Sequence, residues 1–281
     1  MAARACAQIV TGLALAVLFY GTASAQRTIS LAPHITELIF AAGAGDSLVA
    51  TVSSSNYPPE AKSLPRVGDG LSIKTEQLIK YKPDIVFAWQ NNLALQKRQS
   101  ALEAAGIKIE VIQPRNISDI YKLVSYIGDM LGSSETSDLV ASDLKETITY
   151  LKAKYSNKRP VSVFLEIGAK PIYTLGNDPL TNSALEICGA YNVYENSKHI
   201  APIVSAEKIF TKKPDVIIIA SASTERIKNR TNFWKSMHLD AAKRNNIYGI
   251  HPDLLLRPGP RLIKILPKVC EYIDSYRNES Q

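Results

Sequence analysis

The sequence predicts an α/β protein of two similar lobes with mostly parallel sheets, joined by a single long α-helix. Three observations carry this. Residues 76–88 read EQLIKYKPDIVFA and residues 207–219 read EKIFTKKPDVIII, so one helix–loop–strand unit recurs 131 residues further on. A unit repeated at about half the chain length signals a duplicated architecture. Short apolar runs alternate with helical stretches in both halves, the pattern of parallel sheets covered by helices on both faces. Between the two copies, residues 134–155 run 22 residues without Gly or Pro.

RTISL at 27–31 is a short strand, and Pro33 opens a helix through Phe40 that Gly43 or Gly45 closes. A second strand covers 48–52, ahead of the loop SSSNYPP. Thr75 can cap a helix over 76–80, and 84–88 is a buried strand. A helix over 95–105 stops at Gly106, a strand covers 107–112, and a helix over 118–131 ends the first half. The stretch 134–155 places Leu139, Val140, Leu144, Ile148 and Leu151 on a helical period, with Ser134 as a cap and Glu135 and Asp138 near its positive end. At ~1.5 Å per residue this helix is about 33 Å long, which suits a rigid connecting rod; one more surface helix of a single domain is the alternative. In the second half, 161–167 is a strand, 180–188 a helix stopped by Gly189, 207–210 the start of the repeated helix, and 216–220 and 247–250 are strands. Pro260 opens a last helix over 261–276. The expected division is a leader over 1–25, an N-terminal lobe over 26–132, the connecting helix over 133–157 and a C-terminal lobe over 158–281.

Residues 1–25 have the form of a cleaved export signal: Arg4, an apolar run over 9–20 broken only by Thr11 and Gly12, then Ala23-Ser24-Ala25. A membrane anchor is the alternative, but the run is short of the roughly 20 apolar residues that span a bilayer. Cys6 stands too early for a lipid anchor. Export leaves Cys188 and Cys270 in an oxidising compartment, where one disulfide between them is expected and two buried thiols are the alternative. The formal charge of +7 is scattered as isolated Lys and Arg, with one unit on Arg4. Scatter of this kind serves solubility or attraction to anionic ligands and argues against nucleic acid. A hydrophobic content of 46% is enough for two cores of ordinary size.

Two lobes leave a cleft between them, and ligands of open α/β sheets gather beyond the carboxyl ends of the strands. Those loops are 32–34, 53–57, 69–70, 89–92, 168–173, 221–224 and 252–257. Trp89, directly after a buried strand, is the strongest aromatic candidate for holding a flat apolar ligand. Pro33 and His34 follow the first strand. His34 can be an axial ligand to a cargo metal, or a cap or polar wall contact. His34, His199, His238 and His251 have no metal-ligand spacing, so no resident metal is expected. Gly43-Ala44-Gly45 lacks the third glycine of a dinucleotide fingerprint. There is no GxSxG, no HExxH, and no Cys–His pairing, so no enzyme is expected. A hydrolase or metal-dependent enzyme using the same cleft is the alternative of a different class. Asp253 and Arg257, four residues apart, are read as a salt bridge that shapes the cleft.

The segments LAPHITELIFAAGAGDSLVATVSSSNYPPEAKSLPRVGD, KPDIVFAW, LEICGAYNVYENS, VSAEKI and RPGPRL resemble successive landmarks of one family. It comprises the periplasmic substrate-binding proteins that serve ABC importers of cobalamin, haem and ferric siderophores, and the likeness is greatest to its cobalamin branch. The resemblance implies two Rossmann-like lobes on one long helix, and a monomer in the periplasm that hands a metal-bearing macrocycle to a permease dimer without a cofactor of its own. It implies that Glu76 and Glu207 dock on arginines of the permease. It matches Trp89 and Tyr173 to aromatic positions of cobalamin binders, and Asp253 and Arg257 to an acid and a base facing the corrin amides. Ser54, Gly70 and Ala201 stand where such binders carry three further aromatics. Tyr57 can swing inward, unless Pro58 and Pro59 hold it outward. Tyr57 or Tyr173 as an iron ligand supports haem as the alternative cargo.

Overall fold

The computed structural model describes residues 26–69, 72, 75–89 and 99–279. The expected leader, Gly70, the loop residues 90–92 and the first residues of the helix expected over 95–105 lie outside the described residues. The first lobe contains β1 (Thr28–Ser30), α1 (Pro33–Ala41), β2 (Leu48–Ala50), α2 (Thr75–Lys80), β3 (Ile85–Ala88), α3 (Gln99–Ala104), β4 (Lys108–Val111) and α4 (Ile117–Leu131). Its strands are all parallel, in the order β2-β1-β3-β4. Then comes the long helix α5 (Ser134–Tyr155).

The second lobe holds β5 (Val161–Ala169), β6 (Ile172–Thr174), α6 (Pro179–Ile187), β7 (Ala190–Asn192), β8 (Ile203–Val204), α7 (Ala206–Lys212), β9 (Val216–Ala220), α8 (Thr224–Ser236), α9 (Asp240–Lys243), β10 (Ile247–Ile250), α10 (Pro252–Leu255) and α11 (Pro260–Glu279). Strand β5 pairs in parallel with β7 and β9, and β9 with β10. The order β7-β5-β9-β10 thus repeats β2-β1-β3-β4, and the antiparallel strands β6 and β8 are an addition to the second copy.

The repeated Pro-Asp has a local cause. The Asp84 carboxylate accepts from the backbone N–H of Arg27 at 2.8 Å, and Asp215 accepts from Ser162 at 2.9 Å. Each aspartate therefore ties the start of its own strand to the start of the neighbouring one. Lys82 and Lys213, just before the two prolines, both adopt the left-handed conformation. Such backbone is uncommon outside glycine, so its recurrence marks the two units as structurally equivalent.

The composition suggested one core per lobe, and the packing differs. One apolar core runs from Leu38 and Ile39 of α1 and Ile120 and Ile127 of α4, through Leu144, Ile148 and Leu151 of α5, to Val163, Leu185 and Ile263 of the second lobe. Each lobe adds a smaller cluster on its far side, around Leu78 and Val86 in the first and Phe164 and Trp234 in the second. At about 2 kcal/mol per buried aliphatic side chain, the buried stripe of α5 binds both lobes to it. Leu139, expected on that stripe, is exposed, because it points away from the face carrying Ala141, Leu144 and Ile148. Ser134 is the first residue of α5 rather than its cap; its hydroxyl donates to Asp129 at 2.7 Å, and Ser133 holds the cap position.

Cys188 and Cys270 are joined, so α6 is bonded to α11 across 82 residues. Closing a loop of that length removes about 4 kcal/mol of chain entropy from the unfolded state. The next residue, Gly189, has positive φ, and a Cβ there would meet the Tyr155 carbonyl at the end of α5. Arg277 of α11 donates to the carbonyls of both Cys188 and Gly189, at 2.8 and 2.7 Å, and locks this junction. On the opposite face of the sheet, Glu166 of β5 is buried against Arg230 and Trp234 of α8, with the indole N–H donating at 2.7 Å.

Candidate ligand-binding cleft

In the first sheet the chain leaves β1 in one direction and returns as β3 on its other side, which makes a topological switch point between them. Ligand sites form at such points, outside the carboxyl ends of the strands. His34 follows β1 and Trp89 follows β3, and their rings meet edge to face with centroids 5.0 Å apart. His34 is 2% exposed and is not among the residues that line the cleft, whereas Trp89 remains 44% exposed. His34 Nε2 has no hydrogen-bond partner among the described residues. Burial first, and the nearby Arg257 charge second, push the His34 pKa down to about 3.

That shift gives a pH signature. The unfolded chain takes up the proton near pH 6.5 and the folded chain does not, so His34 contributes stability in full above pH 6.5 and loses it as pH falls toward 3. Between pH 6.5 and 5 the loss is about 2 kcal/mol. Urea unfolding at the two pH values should show it, and His34→Gln should flatten the slope; an unchanged slope would place the proton uptake elsewhere.

Trp89 forms part of one wall of a cleft of about 480 Å³ between the lobes. Gln113, Pro114 and Arg115, after β4, extend that wall. Ile167, Leu175, Leu180, Ile200, Leu255 and Leu256 make the opposite, aliphatic wall, with Asn177, Asp178 and Thr181 at its polar edge. Local structure fixes these parts. Asp178 caps α6 by accepting from the Thr181 N–H at 3.0 Å and from its hydroxyl. The buried Asn192 amide donates to the Leu175 and Gly176 carbonyls at 2.9 and 3.1 Å, holding that loop against the cleft.

Beside the cleft a polar network crosses between the lobes. Arg257 pairs with Asp253 at 2.9 Å, and the segment holding Asp253, expected as loop, is the short helix α10. Arg257 also donates to Asn56 at 2.7 Å, to Glu37 at 3.3 Å and to the Ser54 carbonyl at 3.3 Å. Asn56 in turn donates to Asp253 at 3.2 Å. Glu37, in the buried part of α1, takes two further bonds from Arg261, at 2.8 and 2.6 Å. Glu37 and Asn56 stand about 200 residues from Asp253 and Arg261, and only the fold joins them.

The other expected residues fall as follows. Pro33 is the first residue of α1 and does not line the cleft. Tyr57 stays outside it, stacked under the Arg261 guanidinium at 4.2 Å, in a separate groove of about 340 Å³. Tyr173 lies on β6 against Gly168, next to the cleft residue Ile167. Glu76 and Glu207 are exposed on α2 and α7. Ser54 serves through its carbonyl, and Ala201 adjoins the exposed Ile200. Among the described residues no group of His, Cys, Asp or Glu could hold a metal ion.

Residues 29–254 match the family model of the periplasmic binding proteins. The chain belongs to that family. It is 32% identical to a vitamin B12-binding protein of Photorhabdus laumondii over 90% of this chain and 89% of the relative. Among solved structures it matches the periplasmic vitamin B12 binding protein BtuF of Vibrio cholerae, with a TM-score of 0.80 at 30% identity over 90% of this chain and 98% of that one. The periplasmic haem binding protein HutB of Vibrio cholerae matches with a TM-score of 0.76 at 21% identity, over 88% and 98% of the two chains, a likeness of fold. As a periplasmic binding protein, the chain joins its two lobes by a helix rather than by paired crossing strands.

Proposed function

We propose that the protein captures cobalamin, or a closely similar corrinoid, in the cleft and delivers it to the permease of an ABC importer. The observation that carries this is the identity of about 30% to vitamin B12-binding proteins across nine-tenths of the chain. The cleft's chemistry agrees with it. A corrin is a large ring with apolar faces and an amide rim; Trp89 and the aliphatic wall suit the faces, and Gln113, Asn177 and Thr181 suit the amides. Aliphatic side chains stand in for the aromatics missing at Ser54 and Ala201. Asp253 and Arg257 shape the edge of the cleft, with Tyr173 beside it. Of the two tyrosines that would suit haem iron, Tyr57 is engaged by Arg261 outside the cleft and Tyr173 alone remains beside it.

The role is capture without turnover, by a monomer that needs no resident cofactor and does not bind nucleic acid. It acts in the periplasm once residues 1–25 are removed. Glu76 and Glu207, one per lobe, meet guanidinium groups of the permease dimer through charge-assisted bonds. The test is to titrate residues 26–281 separately with cyanocobalamin, haemin and a ferric catecholate, by calorimetry and visible absorption. One-to-one binding of unaltered cyanocobalamin is expected. Binding of haemin or the catecholate alone would reassign the cargo, and turnover of any of them would replace capture with catalysis.

A further inference from the structure

Each copy of the repeat carries an apolar side chain that the fold does not use. In α2 and α7 the second residue is the acid, Glu76 or Glu207, and the fourth is a fully buried anchor, Leu78 or Ile209. The fifth residue, Ile79 or Phe210, is left 44% and 47% exposed. Residues three apart on a helix are surface neighbours, so each acid has a bare apolar patch beside it. A single exposed hydrophobic residue is ordinary. Here the same feature stands at the same helical position, beside the same acid, in both lobes. Leu78 and Ile209 already seat the two helices, so packing does not require Ile79 or Phe210 to be apolar. Glu207 is exposed, and its hydrogen bond with Ser205 lowers its pKa from the ordinary carboxylate value, so a carboxylate stands beside the apolar side chain.

We infer that Ile79 and Phe210 are the apolar half of each docking contact, each entering an apolar socket beside a guanidinium on one of the two equivalent subunits of the permease. This rests on the docking role proposed for Glu76 and Glu207. Two like patches on one chain fit a partner that offers the same surface twice, as a two-fold dimer does. An anionic lipid surface would draw the neighbouring Lys80, Lys208 and Lys212 but offers the two acids no fixed cationic partner, and a second copy of this chain would set acid against acid. In such a contact the exposed charges steer encounter and orientation, and the desolvated apolar residue slows departure.

The test uses Ile79→Ser and Phe210→Ser, singly and together, beside the Glu76→Ala/Glu207→Ala pair, all in residues 26–281. Binding to the importer's own permease dimer in lipid nanodiscs is followed by surface plasmon resonance at low and high salt. Covering the remaining half of each side chain corresponds to about fivefold in dissociation rate per serine, and the two effects should multiply. The serine effect should persist at high salt, whereas the acid pair should slow association chiefly at low salt. Cyanocobalamin affinity should stay at the wild-type value in every variant. If the double serine variant docks like wild type while the acid pair does not, the apolar half is wrong and the docking role stands. If the acid pair also docks like wild type, the docking role itself is wrong. Loss of cyanocobalamin affinity in the serine variants would assign these residues to the fold and overturn the inference.

Discussion

Trp89→Ala is expected to weaken cyanocobalamin binding about a hundredfold, as truncation of a central aromatic anchor costs on the order of 2–3 kcal/mol. The ring is the one aromatic among the described residues that line the cleft, and its edge-to-face contact with His34 fixes its direction. Almost half its surface is open, so folding gains little from the part that faces the cleft. The thermal midpoint should therefore move by only a few degrees while affinity collapses. Trp89→Phe should recover much of the affinity, since it keeps a flat apolar face. Calorimetry on the three proteins checks this, and a wild-type affinity for Trp89→Ala would remove the cleft wall from the site.

Glu37→Ala should have the opposite profile, a large loss of stability with a smaller effect on the ligand. The Glu37 side chain is 1% exposed, and Arg257 and Arg261 are 14% and 16% exposed. Removing one partner of a buried charge pair is costly because the charge left behind has lost both water and its counter-ion. Arg257 keeps Asp253 and Asn56, but Arg261 keeps only the Tyr57 ring and the charge of Asp253, with no hydrogen-bonded partner among the contacts described. A loss of about 3 kcal/mol follows, which shifts the urea midpoint by roughly 1 M for a chain of this size. Glu37→Leu combined with Arg261→Leu should recover part of it, because no charge is then stranded. A midpoint unmoved by Glu37→Ala would show that the lobes are held by the apolar core and α5 alone.

The sequence made legible what is local. The repeat can be read because each Pro-Asp performs the same short-range task, tying neighbouring strand starts through Asp84 and Asp215. The rod can be read because 22 residues without Gly or Pro leave few other conformations. Trp89 is conspicuous because it ends an apolar strand at the switch point between β1 and β3. Features that depend on distant partners were not visible. Helix α8, TERIKNRTNFWKS, has no continuous apolar stripe; it docks through Arg230 and Trp234 onto Glu166, itself an acid inside a strand. Strands β6 and β8 are three and two residues long, too short for any periodicity to show. The aliphatic wall is assembled from separate loops, each contributing one or two residues that look like ordinary core. The place of His34 after β1 can be read, but its burial against the Trp89 ring is a matter of side-chain packing that chain order does not encode.

The central claim is that two like lobes, fixed by α5 and by the Glu37–Arg257–Arg261 network, hold a corrin in the gap between them without a large change in their separation. A crystal structure of residues 26–281 with cyanocobalamin tests it most directly. The corrin should lie between Trp89 and the Ile200–Leu255–Leu256 wall, with Arg257 still bonded to Asn56 and Glu37 and the sheets in their present relation. A corrin seated outside this cleft, or lobes swung apart with that network broken, would contradict the account.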